Sequence, residues 1–167
     1  SGLWRVRHDK SRRHRRWRQR KARRGELVQM DGSHHDWFER RRGKCVLMVM
    51  VDDASGQLWA QFHESETTEA AMLTFSAYVA RQGLPLGLYV DRHSIYRVNR
   101  DATAAENLAN TGPLTQFSRA MRQLDVNMVF ARSPQAKGRV ERMNGTLQDR
   151  LVKALRLAGI SDLDQAN

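Results

Sequence analysis

The sequence predicts an α/β domain: a mixed five-stranded sheet, three antiparallel strands then helix, strand, helix, strand and helix, with the helices on its faces. Three observations carry that reading. A nearly continuous apolar run, Cys45 to Val51 in "KCVLMVMVDDASGQLWAQFH", is what a strand buried on both faces requires. Turn formers follow at once, and Gln57 to His63 alternates as a returning strand does. From residue 65 onward the apolar period changes to the helical one, and helical segments alternate with short apolar runs.

The elements follow in order. "ELVQMDGS", from residue 26, is a short strand expected to end at the breaker pair Asp31-Gly32. The apolar run and its return, joined by the Asp52 to Gly56 turn, complete an antiparallel meander. "SETTEAAMLTFSAYVARQG", 65 to 83, has a capping Ser65 or Thr67, early acids and a closing glycine, so it predicts a helix. "LPLGLYVDRH" places a fourth strand at 86 to 90, ending on Asp91. Residues 97 to 113 show no firm pattern and are expected to form an extended or mobile insertion. Leu114, Phe117, Met121 and Leu124 stand at helical spacing, and "VNMVF" is a fifth strand. The last helix, 138 to 158, is expected to bury a stripe of Val140, Met143, Leu147, Leu151, Ala154 and Ala158.

Length and charge bound what such a domain does. At 167 residues there is enough chain for one sizeable core. Residues 1–25 hold 12 Lys/Arg against one acid, whereas 26–167 hold 17 of each sign, so the chain's net +11 belongs to the first segment. Three parts follow: a basic arm over 1–25, a folded core over 26–160 and a terminal segment over 161–167. A block of like charge wraps a polyanion or stays solvated. Arg12, Arg13, Arg15, Arg16, Arg18, Arg20, Lys21, Arg23 and Arg24 are therefore candidate contacts to DNA phosphates. Lys137, Arg139 and Arg142 join them near the start of the last helix. The bland alternative is a solvated linker carrying Trp4 and Trp17. One cysteine, Cys45, excludes an intrachain disulfide and a Cys-rich zinc site. No apolar run approaches the roughly 18 residues of a membrane span, and no secretory signal is visible, so the expectation is a reducing cytoplasmic compartment and no membrane partner. Beginning on Ser-Gly and running into linker-like sequence, the chain reads as an excised fragment.

The chemistry rests on carboxylates. Phosphate loops of the GxxxxGK[ST] and GxGxxG kinds are absent, as is a G-x-S-x-G elbow. His34 and His35 in "DGSHHDW" would point to opposite faces of a strand and so do not converge on a metal. Glu64, Glu66 and Glu69 mark a helix start, Asp52 and Asp53 form a turn, and Asp101, Glu106, Asp162 and Asp164 fall in loop or terminal segments. Asp31 and Asp91 differ, because each terminates an apolar strand candidate. On neighbouring strands two such acids repel unless a cation sits between them, and an oxygen-only donor set suits Mg²⁺ or Mn²⁺. Glu141 lies about 100° around the last helix from Val140, at the margin of the expected stripe, with Gln148 near the same edge. Spacing alone leaves Glu141 readable as an ordinary helix-start acid, the commoner case.

The motifs are more specific in combination. "ELVQMDGSHHDWF", "VMVDDASGQLWAQFHESETTEAAM", "GLPLGLYVDRHSIY" and "FARSPQAKGRVERMNGTLQDRLVKAL" together resemble the integrase catalytic core of bacterial insertion-sequence transposases, in the retroviral-integrase-like DDE superfamily. The resemblance covers residues 26 to about 157, and the arm resembles the basic segment preceding that core. It implies a ribonuclease H-like fold, with Asp31 in "QMDGS", Asp91 in "LYVDRH" and Glu141 in "SPQAKGRVER" as catalytic and metal-binding residues. Many relatives have Asn and then Gly after the second acid, so Arg92-His93 departs from the habit. Fifty-nine residues separate Asp31 from Asp91 and 49 separate Asp91 from Glu141, the second gap being long for retroviral relatives. Segment 97–113 can absorb the difference.

The same resemblance implies two divalent ions, Mg²⁺ with Mn²⁺ as a substitute. It also implies phosphodiester hydrolysis and strand transfer at insertion-sequence ends, double-stranded DNA as element ends and target, and a homo-oligomer on DNA in the bacterial cytoplasm. Such transposases carry a helix-turn-helix region upstream, so this segment alone is expected to be weakly active or inactive. A stand-alone RNase H-like nuclease or resolvase is the alternative, and a non-catalytic DNA-binding remnant a third.

Overall fold

A computed structural model describes residues 19–108, 112–131 and 138–167. The arm residues Arg12, Arg13, Arg15, Arg16 and Arg18, and Lys137 with its loop, lie outside the described residues. The elements are β1 Val28–His35, β2 Cys45–Asp52, β3 Leu58–His63, α1 Thr68–Gln82, β4 Gly87–Val90, α2 Ala104–Leu108, α3 Gln116–Gln123, β5 Asn127–Phe130, α4 Gly138–Leu157 and α5 Leu163–Ala166. They form one five-stranded sheet in the order β3-β2-β1-β4-β5. β1 to β3 pair antiparallel, while β4 runs parallel to β1 and β5 parallel to β4.

Every residue of β2 is buried, as its unbroken apolar run requires. Val46, Met48 and Met50 face one core, closed by α1 and α3 through Phe75, Tyr78, Phe117 and Met121. Cys45, Leu47, Val49 and Val51 face the other, closed by α4 through Val140, Val152 and Leu155, with Trp37, Phe38 and Phe62. Thr67 caps α1 by accepting from the Ala70 amide at 3.1 Å, and Gly83 ends it at a φ of 86° that other residues adopt poorly.

Two expectations need correction. β1 does not stop at Asp31-Gly32 but continues to His35, because Cys45 to Met48 of β2 supply ladder partners for residues 32 to 35. The stretch 97–113 contains a short helix, α2. The terminal segment is docked: α5 packs on β3, and the Asn167 side chain accepts from the Phe62 amide at 2.6 Å and donates to its carbonyl at 3.1 Å. The strand edge is thus closed there by an amide in place of backbone.

The stripe on α4 is wider than expected. Val140, Met143, Leu147 and Leu151 pack against the core as expected, whereas Ala154 and Ala158 are exposed. Asn144, Val152 and Leu155 are buried as well and Gln148 is half-buried, which widens the sheet-facing arc toward Glu141.

Two groups give the fold a pH signature. Burial pushes His63 below its ordinary 6.5, against a weaker upward pull from Glu69. Burial raises Asp52, but amide hydrogen bonds from Ser55 and Gly25 and the Ser55 hydroxyl together hold it below 3.8. A base with a lowered native pKa loses stability as pH falls from 6.5 through that lowered value. An acid with a lowered native pKa contributes above 3.8 and loses that contribution as pH falls through its native value. Urea midpoints are therefore expected to be level from about pH 7 to about pH 8, to decline first below about pH 6.5 and again below about pH 4. His63→Gln is expected to remove only the first decline.

Candidate active site

The site forms where β1, β4 and α4 meet. On β1, alternate residues Gln29, Asp31 and Ser33 line the face toward α4. α4 meets each in turn. The Val140 amide donates to Gln29 Oε1 at 3.4 Å, Asn144 Nδ2 to Asp31 Oδ2 at 2.9 Å, and Gln148 Nε2 to Ser33 Oγ at 3.2 Å. Four helical residues rise about 6 Å and two strand residues about 6.6 Å, so helix and strand run together almost in step.

Asp91 follows β4 directly, its Oδ1 accepting from the His93 amide at 2.9 Å. β1 and β4 pair Val28 with Leu88 and Gln29 with Tyr89, a register that, carried two residues on, sets Asp31 level with Asp91. Both acids are half-buried. Glu141 lies in the first turn of α4, three residues before Asn144 on the same side of the helix, and is exposed. Among the described residues no group of three His, Cys, Asp or Glu side chains is gathered closely enough to hold a metal ion. The structure therefore aligns Asp31 with Asp91 and leaves Glu141 at the rim.

A fourth acid was hidden in the sequence. Glu66 precedes the cap of α1, yet its carboxylate turns back over Gly32, where an added Cβ would lie 2.5 Å from Glu66 Cδ. Its Oε2 meets His34 Nε2 at 2.9 Å, and its side chain is only 13% exposed. Gly32 is thus the space that admits Glu66, on the sheet face opposite the one Asp31 shares with α4. His34 and His35 part as expected, His35 packing edge-on to Trp37 at 5.3 Å.

Tyr96 is 1% exposed, and its hydroxyl has no hydrogen-bond partner among the described residues, nor does Asn144 Oδ1. Burial above all, then the negative charges of Glu66, Asp91 and Asp31, pushes the Tyr96 phenol far up. It stays protonated and is no nucleophile. Tyr78 is likewise a core residue.

The cations divide by position. Arg20, Arg23 and Arg24 are exposed, Arg20 donating to the Ala54 carbonyl at 3.2 Å, and Lys21 pairs with Glu26 at 3.0 Å. Arg142 is exposed on α4, whereas the Arg139 side chain is 18% exposed and pairs with buried Asp53. Asn144 carries the one signal reasoning from sequence could have used: it stands one turn beyond Glu141, about 40° from Val140 and inside the apolar arc.

No family model matches the chain. Transposase y4bF of Sinorhizobium fredii, so assigned, is 46% identical over 145 residues, spanning 86% of this chain and 30% of that protein. The transposase for insertion sequence IS1202 of Streptococcus pneumoniae is 38% identical over 151 residues, spanning 90% of this chain and 31% of that protein. The chain thus spans about a third of the length of these relatives. Among solved structures, the integrase catalytic core domain of HTLV-2 in complex with magnesium superposes with a TM-score of 0.64 at 21% identity, over 86% of this chain and 81% of that one. A chain of the simian T-cell lymphotropic virus intasome superposes at 0.70 and 23% identity, over 89% of this chain and 47% of that one. At those identities the likeness is one of fold, a ribonuclease H-like sheet with flanking helices. Fold and transposase relatives agree, and both point to the retroviral-integrase-like DDE superfamily.

Proposed function

We propose that this chain is the catalytic core of an insertion-sequence transposase, with Asp31, Asp91 and Glu141 as its metal-binding acids. The observation that supports the reading is the β1–β4 register, Gln29 opposite Tyr89, which carried two residues on brings Asp31 and Asp91 to one level, with α4 laid along β1 beside Asp31. Two half-buried carboxylates at one level, with an all-oxygen donor set, fit a hard divalent cation. Asn144 holds one Asp31 oxygen, and Glu141 completes the set when its first turn closes on the strand ends. Bound there, Mg²⁺ or Mn²⁺ supplies activation of water or a DNA 3′-hydroxyl and charge stabilisation at the leaving oxygen of a phosphodiester. The chain's own part is to bring Asp31 and Asp91 to one level and to keep Asn144 on Asp31. No covalent protein–DNA intermediate is needed.

The deciding experiment incubates the protein that carries this chain with labelled element ends and Mg²⁺ or Mn²⁺, then resolves cut and joined products. Joining of a cut 3′ end to target DNA separates a transposase from a stand-alone nuclease or resolvase, which only cuts, and from a DNA-binding remnant, which does neither.

DNA and further copies of the chain are the partners this reading requires. The HTLV-2 integrase core is known in dimeric and trimeric forms, and two element ends call for more than one active site. Among the described residues no helix is long and apolar enough to cross a membrane. The arm gives a direct test. Removing residues 1–18 takes away eight Lys/Arg and one acid while leaving the anchored stretch from Lys21 to Gly25. Affinity for unrelated duplexes is expected to fall by similar factors, and the slope of log K against log salt to flatten by about 0.9 for each phosphate the arm no longer neutralises. Filter binding across a salt series reads both, and an unchanged slope would make the arm a linker.

A further inference from the structure

Asp53 follows β2 and is completely buried, which a turn-forming aspartate has no need to be. The turn is shaped by its neighbour. Asp52 Oδ1 accepts from the Ser55 amide and hydroxyl, each at 2.7 Å, and its carbonyl accepts from the Gly56 amide at 2.9 Å. Asp53 is occupied elsewhere. Its Oδ1 accepts from Gln29 Nε2 at 3.0 Å and from Arg139 Nη1, and its Oδ2 accepts from the Lys21 amide at 2.9 Å. Gln29, itself buried, passes the link on, its Oε1 accepting from the Val140 amide. That amide is one of the four a helix leaves open at its start, and here a side chain of β1 meets it.

One carboxylate therefore joins three segments: the stretch entering from the basic arm, the strand bearing Asp31, and the first turn of α4. Arg139 and Val140 are the two residues before Glu141. The far end of α4 has its own fastening, Arg41 donating to the carbonyls of Leu155 at 3.0 Å and Ile160 at 2.7 Å. The two ends are held by separate groups, so the first turn can loosen alone.

We infer that Asp53 is a positioning residue for Glu141: through Arg139 and Gln29 it holds the first turn of α4 against β1. The inference rests on the proposed role of Glu141. It also gives Arg139 an internal function distinct from DNA contact, and it ties the arm to the site through one shared acceptor.

The test uses Asp53→Asn, Arg139→Gln and their double variant in the whole protein that carries this chain. Arg139→Gln, near the surface, keeps the test open should the buried change impair folding. Amide hydrogen exchange, without metal or DNA, is expected to quicken about tenfold in residues 138–144 and to stay unchanged in 150–157, since local opening of one segment leaves the rest protected. The Mg²⁺ concentration for half-maximal cleavage is expected to rise severalfold, with DNA affinity unchanged and the double variant no worse than the worse single one. Unaltered exchange at 138–144 and an unaltered Mg²⁺ midpoint in Arg139→Gln would overturn the inference. So would uniform quickening along all of α4 with no shift in that midpoint, which is the mark of general destabilisation. Reduced DNA affinity with exchange unaltered would return Arg139 to DNA contact. Glu141→Gln and Asp31→Asn, assayed alongside, keep the two readings apart. If these remain active, the proposed site fails, while the exchange data still decide whether Asp53 anchors the helix.

Discussion

Glu141→Gln, in the protein that carries this chain, is expected to abolish Mg²⁺-dependent cleavage and joining while leaving folding and DNA affinity in place. The side chain is exposed in the first turn of α4, so an isosteric change there costs stability little, within about 0.5 kcal/mol. Its effect on catalysis is of another order. A ligand to a catalytic metal supports several kcal/mol of charge stabilisation, and each 1.36 kcal/mol is about tenfold in rate, so a fall of roughly a hundredfold or more is expected. Asp31→Asn and Asp91→Asn are expected to do the same. Asp52→Asn is the contrast. It disturbs a buried acceptor of the Ser55 and Gly25 amides and is expected to cost about 1–3 kcal/mol of stability, with turnover per folded molecule preserved. Single-turnover cleavage over a range of Mg²⁺, beside a melting curve for each variant, separates the two patterns. Near-normal turnover by Glu141→Gln would make it a plain helix-start acid.

The largest effect on stability is expected at Trp37. Its ring is 1% exposed, lies edge-on to Phe62 at 5.7 Å, and donates through Nε1 to the Ser33 carbonyl at 3.0 Å. Trp37→Ala empties the middle of the core beneath α4 and is expected to cost about 3–5 kcal/mol, much of what a small domain has. Trp37→Phe keeps most of the filling and removes the hydrogen bond, for about 1 kcal/mol. Chemical denaturation reads both. A drop below about 1 kcal/mol for the alanine variant would mean that the core closes over the gap.

Local signals in the sequence were enough for the elements and their order. The β2 run, the Thr67 cap and the Gly83 stop each depend on neighbouring residues, and each stands where expected. Asp31 and Asp91 were legible as acids that break apolar runs, although β1 proves to run on past Asp31. What failed depends on partners distant in sequence. Apolar residues alone show only part of the inward face of α4, because polar Asn144 and Gln148 also turn inward where β1 offers Asp31 and Ser33 as partners. Glu66 looks like one of three acids at a helix start, and only the missing side chain of Gly32 lets it turn back over β1. Asp53 looks like a turn residue, because its partner Arg139 lies 86 positions away.

The near-equal rise of α4 and β1 bears on where this domain tolerates insertions. Deleting one residue between Asn144 and Gln148 would turn the upstream part of the helix by about 100° relative to the rest. With Gln148, Val152 and Leu155 seated, Asn144 would leave Asp31 and Glu141 would swing off the sheet. A one-residue slip in β1 would carry Asp31 to the opposite face outright. Neither ladder includes residues 97–103, so a change of length there is expected to leave both in step. The seven-residue step from Glu141 to Gln148, by contrast, is inelastic.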